Sequence, residues 1–129
     1  MAALPRFTLI FYAPTSAVAA CKSAIFGAGA GRYPGPGNYT ECSWSTLGTG
    51  QFRPGDAANP HLGSVGVLEE IPEVRVETLC VGEDVVRRAV KALKGIAISE
   101  ATPLTKKSPF PSAHPYEEPA YHVIKLENY

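Results

Sequence analysis

No stretch of this chain approaches the roughly 20 consecutive apolar residues that a membrane-spanning helix requires, so a membrane-embedded protein is not expected. Nor is there an excess of charge. Twelve Lys and Arg face twelve Asp and Glu, which argues against a phosphate backbone or an anionic lipid surface as partner and leaves any binding surface to be local. Cysteine is scarce and odd in number. Cys21, Cys42 and Cys80 lie far apart and cannot all pair, as suits a reducing, cytoplasmic setting. With 129 residues and three histidines the chain is one domain, 1–129, without room for a second lobe. It also shows no Ser-His-Asp pattern or other nucleophile motif, so catalysis of its own is not expected. What the chain has in surplus is Gly and Pro, twelve of each, above the usual combined share of about 12%.

Between those turn formers the apolar pattern resolves into elements. Phe7 to Tyr12 is a nearly continuous apolar run that suits a central strand, closed by Pro14. Arg6, this run and Ala17-Val18-Ala19 imitate a signal peptide with its cleavage site, but Pro14 ends the run early. From Thr15, Val18, Cys21 and Ile25 recur at helical spacing; Thr15 or Ser16 offers a cap, and Gly27 and Gly29 a stop. Tyr39 to Leu47, with Cys42 and Trp44 alternating with Ser43 and Ser45, reads as a half-buried strand, and Gly48 to Gly66 as a turn-rich excursion. Asn38-Tyr39-Thr40 has the form of a glycosylation sequon, which has no meaning without secretion.

Val74, Val76, Thr78 and Cys80 then share one face of a period-two strand whose start or bulge is marked by Pro72. Glu83 and Asp84 suit the positive end of a second helix with Val86, Ala89, Val90 and Leu93 inward and Gly95 at its end. Tyr121 to Leu126 closes the chain as a strand. The order β-α-β-β-α-β is that of an α+β, ferredoxin-like sandwich: a four-stranded antiparallel sheet with two helices on one face.

Particular motifs carry a resemblance. Ile25-Phe26-Gly27-Ala28-Gly29-Ala30-Gly31-Arg32, Cys42-Ser43-Trp44 and Gly48-Thr49-Gly50-Gln51-Phe52-Arg53-Pro54-Gly55 are followed by Leu68-Glu69, by Glu73-Val74-Arg75-Val76-Glu77 and by the terminal Ala113-His114-Pro115-Tyr116-Glu117-Glu118-Pro119-Ala120-Tyr121. In that order, nearly end to end, they resemble the PII-like (CutA-like) domain inserted in the dinuclear-metal Nif-three-like proteins, which also exists as a short free-standing form. The resemblance implies a homotrimer whose sheets meet edge to edge, and the long second and third strands would supply edges that need covering. It does not imply the two-metal site, which the lobes flanking this insert build in full-length relatives. A GTP cyclohydrolase-type activity inherited from them would lack its ligands here, and a phosphoribosyltransferase activity, suggested by the similar regulatory domain of ATP phosphoribosyltransferase, would lack its catalytic lobe. The chain departs from the pattern at Pro34-Gly35-Pro36 and by an insertion at about 96–112, where three prolines and two lysines between Ser99 and Ser112 suggest a mobile surface loop.

The densest set of functional side chains is His114-Pro115-Tyr116-Glu117-Glu118-Pro119. Three readings stay open. The prolines and carboxylates can simply shape a turn into the last strand. His114, Tyr116, Glu117 and Glu118 can bind a small ligand together with Arg53 and His61, which lie in or beside the loop Gly48 to Pro60, with neighbouring subunits lining a shared cleft. Or His114 and Glu118, with His122 and perhaps Cys42, can hold a divalent metal such as zinc, in the manner of a CutA-like protein. Two prolines forbid a helix that would align His114 with Glu118. The glycines at 27, 29 and 31 resemble a phosphate cradle but follow a helix, which favours a helix cap. Cys42 is read first as a small hydrophobe and second as a reactive thiol.

Overall fold

The computed structural model describes residues 3–58, 63–100 and 120–129. The apolar run at the start of the chain becomes β1 (Arg6–Pro14), the strand around which the rest is arranged. After it come a short 3-10 turn (Thr15–Ala17), α1 (Val18–Gly27), β2 (Trp44–Phe52), β3 (Glu69–Val81), α2 (Glu83–Glu100) and β4 (Tyr121–Leu126). The strands form one sheet in the order β2-β3-β1-β4, and every neighbouring pair is antiparallel. Both helical crossovers therefore skip a strand. This is the ferredoxin-like α+β arrangement expected from the element order.

The strand period of two decides the layers. Phe7, Leu9, Phe11 and Ala13 of β1 lie opposite Cys80, Thr78, Val76 and Val74 of β3. Apart from Thr78 and the half-buried Val74, these residues join Cys21 and Ile25 of α1 and Val86, Ala89 and Leu93 of α2 in one buried cluster. Thr78, the one polar residue among the buried ones described, donates its hydroxyl to the carbonyl of Cys42 at 2.8 Å. Among the described residues the other face of the sheet carries neither α1 nor α2.

Several boundaries differ from expectation. The second strand starts at Trp44 and runs to Phe52, because Asn38 and Glu41 adopt positive φ angles of 51° and 56° and break an extended path from Tyr39. Gly48 to Phe52 is strand and not loop; it pairs with Glu69 to Glu73. Pro72 sits inside β3, opposite Thr49 and past the end of β1, which stops opposite Glu73. There β3 has a neighbour on one side only, the edge-like position at which a missing N–H is tolerated.

Helix ends are also shifted. Neither Thr15 nor Ser16 caps α1 with its side chain; both belong to the 3-10 turn. At the other end Gly29, not Gly27, makes the stop. With φ of 109° it donates to Phe26 O at 3.0 Å while Ala30 donates to Ile25 O at 3.1 Å, the paired bonds of a Schellman motif. α2 passes through Gly95 to Glu100, so one interior glycine, worth about 1 kcal/mol against Ala, does not end it. Residues 96–100 of the expected loop are thus helical, and 101–112 lie outside the described residues.

None of the three cysteines is in a disulfide, and two belong to the core. Burial pushes the Cys21 thiol up to about 12 and the Cys80 thiol up to about 11, because desolvation disfavours the thiolate. An aromatic disulfide reagent near pH 8 is expected to react quickly with one thiol, the half-buried Cys42, and with all three only after denaturation. Three fast thiols would contradict this packing. The folded chain holds the two core protons more tightly than the unfolded chain does. This contribution to stability is full below the ordinary thiol value of 9.0 and falls as pH rises from there toward 11 and 12. Urea titrations on either side of the ordinary thiol value would show the drop.

Candidate functional site

Of the residues nominated from sequence, His114, Tyr116, Glu117, Glu118 and His61 lie outside the described residues. Arg53 is exposed, one position beyond the end of β2. His122 is exposed in β4, on the sheet face without helices, where its ring meets Tyr12 edge-on at a centroid distance of 6.1 Å. Among the described residues no group of three His, Cys, Asp or Glu is placed to hold a metal ion, and no helix is long and apolar enough to cross a membrane.

Register fixes how far apart these positions are. His122 is opposite Ile10, Ile10 opposite Glu77, and Glu77 opposite Trp44, so the four form one row across the sheet. At about 4.8 Å per strand, His122 is about 14 Å from the Trp44 end of that row. Cys42, two residues before Trp44, therefore cannot share a metal ion with His122 within one chain. Similarly, Ala120, which enters β4 and accepts from Tyr12 N at 3.2 Å, lies on the row of Arg75 and Thr46. Arg53 is a further seven residues along β2, which adds about 23 Å to the separation across the sheet. One subunit does not bring Arg53 to the entry of β4.

What the open face does bring together is a set that the sequence reading did not nominate. A concavity of about 250 Å3 is lined by Thr8, Tyr33, Trp44, Glu77, Leu79 and Leu126, together with Cys42, Ser43 and Thr78. All four strands contribute to it. Its wall is the segment between α1 and β2, which is tied down at three points: Gly31 N donates to Leu79 O at 2.8 Å, Cys42 N to Gly31 O at 2.9 Å, and Thr78 Oγ1 to Cys42 O. The segment thereby caps β3 beyond the start of β2. Trp44 and Tyr33 remain 56% and 52% exposed, and Glu77 accepts an ion pair from Arg75 at 2.7 Å. Period-two alternation places Trp44 and Glu77 on faces but not opposite each other, and nothing local to Tyr33 signals that it returns to the sheet.

No protein-family model matches the chain. Individual proteins do. The chain is 40% identical over 117 residues to the GTP cyclohydrolase 1 type 2 homolog of Mycobacterium leprae, a match covering 91% of this chain and 25% of the relative. It is 34% identical over 123 residues to the protein of the same name from Listeria innocua, covering 95% and 28% of the two chains. The Bacillus subtilis counterpart is 32% identical over 126 residues, covering 95% and 27%. The crystal structure of a Bacillus cereus protein related to NIF3 superposes with a TM-score of 0.70 at 30% identity, over 99% of this chain and 27% of that one. The chain therefore spans about a quarter of the length of the curated relatives it matches. It is homologous to one segment of NIF3-related proteins, and that segment has this ferredoxin-like fold.

Proposed function

We propose that the chain is a PII-like, CutA-like regulatory module that assembles as a homotrimer and binds a small ligand, without a catalytic site of its own. The observation that carries this is β2. Its nine residues, Trp44 to Phe52, include no charge and no proline, the features by which edge strands are normally kept from pairing with other chains. Among the described residues β2 is largely exposed on both faces: Leu47, on the helix side, is 66% exposed. β4, at the other edge of the sheet, has a single lysine, Lys125. Among the described residues no strand pairs with the outer side of β2 or β4, and two such edges can satisfy each other around a closed ring of identical subunits.

The assembly gives the ligand reading its geometry. Within one chain Arg53 is far from the entry to β4, and the ligand reading joins Arg53 and His61 of one subunit with His114, Tyr116, Glu117 and Glu118 of a neighbour in a shared cleft. The curated relatives carry a cyclohydrolase name for chains about four times as long, and no such activity is proposed for this chain. A reducing cytoplasm suits a chain whose three cysteines form no disulfide.

Light scattering on the purified chain is expected to give three times its 13.7 kDa mass. Leu47→Lys, which puts a charge in the middle of the exposed edge, is expected to give folded monomers with unchanged circular dichroism. A wild-type chain that runs as a monomer at every concentration would sink the trimeric reading.

A further inference from the structure

We propose that the concavity on the open sheet face is a site for a small organic cation, an ammonium or guanidinium group on a short apolar body. Two aromatic side chains line it, Trp44 from the first position of β2 and Tyr33 from the α1–β2 segment, with Leu79 and Leu126 supplying apolar surface. Its charged lining residue is Glu77, directly across the ladder from Trp44. Aromatic faces beside a carboxylate attract a cation by the ring quadrupole and by Coulomb attraction, whereas an anion is repelled by both. Glu77 is already paired with Arg75 through Oε2, but Arg75 is not part of the lining. The second oxygen keeps its acceptor capacity, and a ligand cation competes with one guanidinium for the same carboxylate.

The shape is built in advance. Tyr33 is carried by a segment that backbone bonds tie to Leu79 and that Thr78 bonds again at Cys42, so less ordering is required when a ligand enters. The volume, about 250 Å3, is near the lower end of small-molecule sites and suits a compact head group. The site stands within a single chain and does not rest on the trimeric reading.

Trp44 is the only tryptophan, so its fluorescence reports this site alone. The probes are choline and its uncharged isostere 3,3-dimethylbutan-1-ol, at ionic strength held constant with sodium chloride. Choline is expected to change the emission saturably and to bind about tenfold more tightly than the isostere. Glu77→Gln is expected to remove most of that preference. Arg75→Gln, which frees the carboxylate, is expected to tighten choline binding several-fold. A site that merely tolerates apolar solutes would answer both probes equally, and a merely structural Arg75–Glu77 pair would give weaker binding in both variants; either result overturns the proposal. So does an emission that choline leaves unchanged, including the case in which acrylamide fails to quench Trp44 because another copy covers it. Light scattering on the same samples reports the assembly separately, so a monomer that binds choline rejects only the trimer and a trimer that ignores it rejects only this site.

Discussion

Gly31→Ala is expected to lower the unfolding free energy by about 3 kcal/mol, the sum of a left-handed backbone and an overpacked contact. Gly31 has φ of 81°, and a Cβ built on it would lie 2.9 Å from both Cys42 N and Phe26 Cε1 and 3.0 Å from Cys42 O. Two of those atoms are backbone, held in place because Cys42 donates to Gly31 itself. The clash therefore cannot be relieved by turning a side chain; the connection has to lift away from β3. If it lifts, Leu79 O loses its donor, Thr78 loses the carbonyl of Cys42, and Tyr33 leaves the open face with them. Urea unfolding measures the energy, and a shift of Trp44 emission under native conditions reports the displaced segment. Gly27→Ala is the matching control. It lies in α1 with nothing within 4 Å of the added carbon, and it is expected to stabilise by up to about 1 kcal/mol. Equal and small effects at both positions would mean that the connection is not held as described.

The run Gly27, Gly29 and Gly31 shows how much is legible in the sequence. Its place after a helix marks a cap, and that holds for Gly29, which closes α1, while Gly27 stays inside the helix and Gly31 packs against Cys42. What Gly31 packs against could not be read, because its partners Leu79 and Cys42 are set by the three-dimensional path of the connection. The strands were legible where one face is buried. Phe7 to Ala13 and Val74 to Cys80 show the pattern because the helices enforce it. β2 lies five residues further along than expected at both its start and its end because most of its residues are exposed on both faces, so no hydrophobic alternation marks it. Gly48 and Gly50 suggest a turn, yet the Glu73 side chain lies over the position a Cβ on Gly50 would take. Of the nominated site, the motif His114 to Glu118 falls outside the described residues, and the described concavity depends on register across four strands, which no local pattern contains.

Phe11→Ala is expected to cost more than any surface change, about 3–5 kcal/mol. Phe11 is fully buried in the middle of the central strand, opposite Val76 on one side and Tyr121 on the other. The ring therefore joins both ladders to the helical layer. Neighbouring side chains on two hydrogen-bonded strands cannot close over the void without breaking register, which places the cost in the upper part of the range seen for such truncations. A domain of this kind has about 5–15 kcal/mol in total, so about a fifth or more is removed by one substitution. The midpoint of urea unfolding should fall with little change in slope. Leu47→Ala supplies the contrast. Its side chain faces the same side of the sheet but is two-thirds exposed, and in an isolated chain it should change stability by no more than about 0.5 kcal/mol. If subunits join through β2 as proposed, that same residue would be covered, and its truncation would reduce stability most at low chain concentration, where mass action no longer holds the subunits together. Phe11→Ala acts at every concentration. The difference between the two dependences separates what holds the subunit from what joins one subunit to the next.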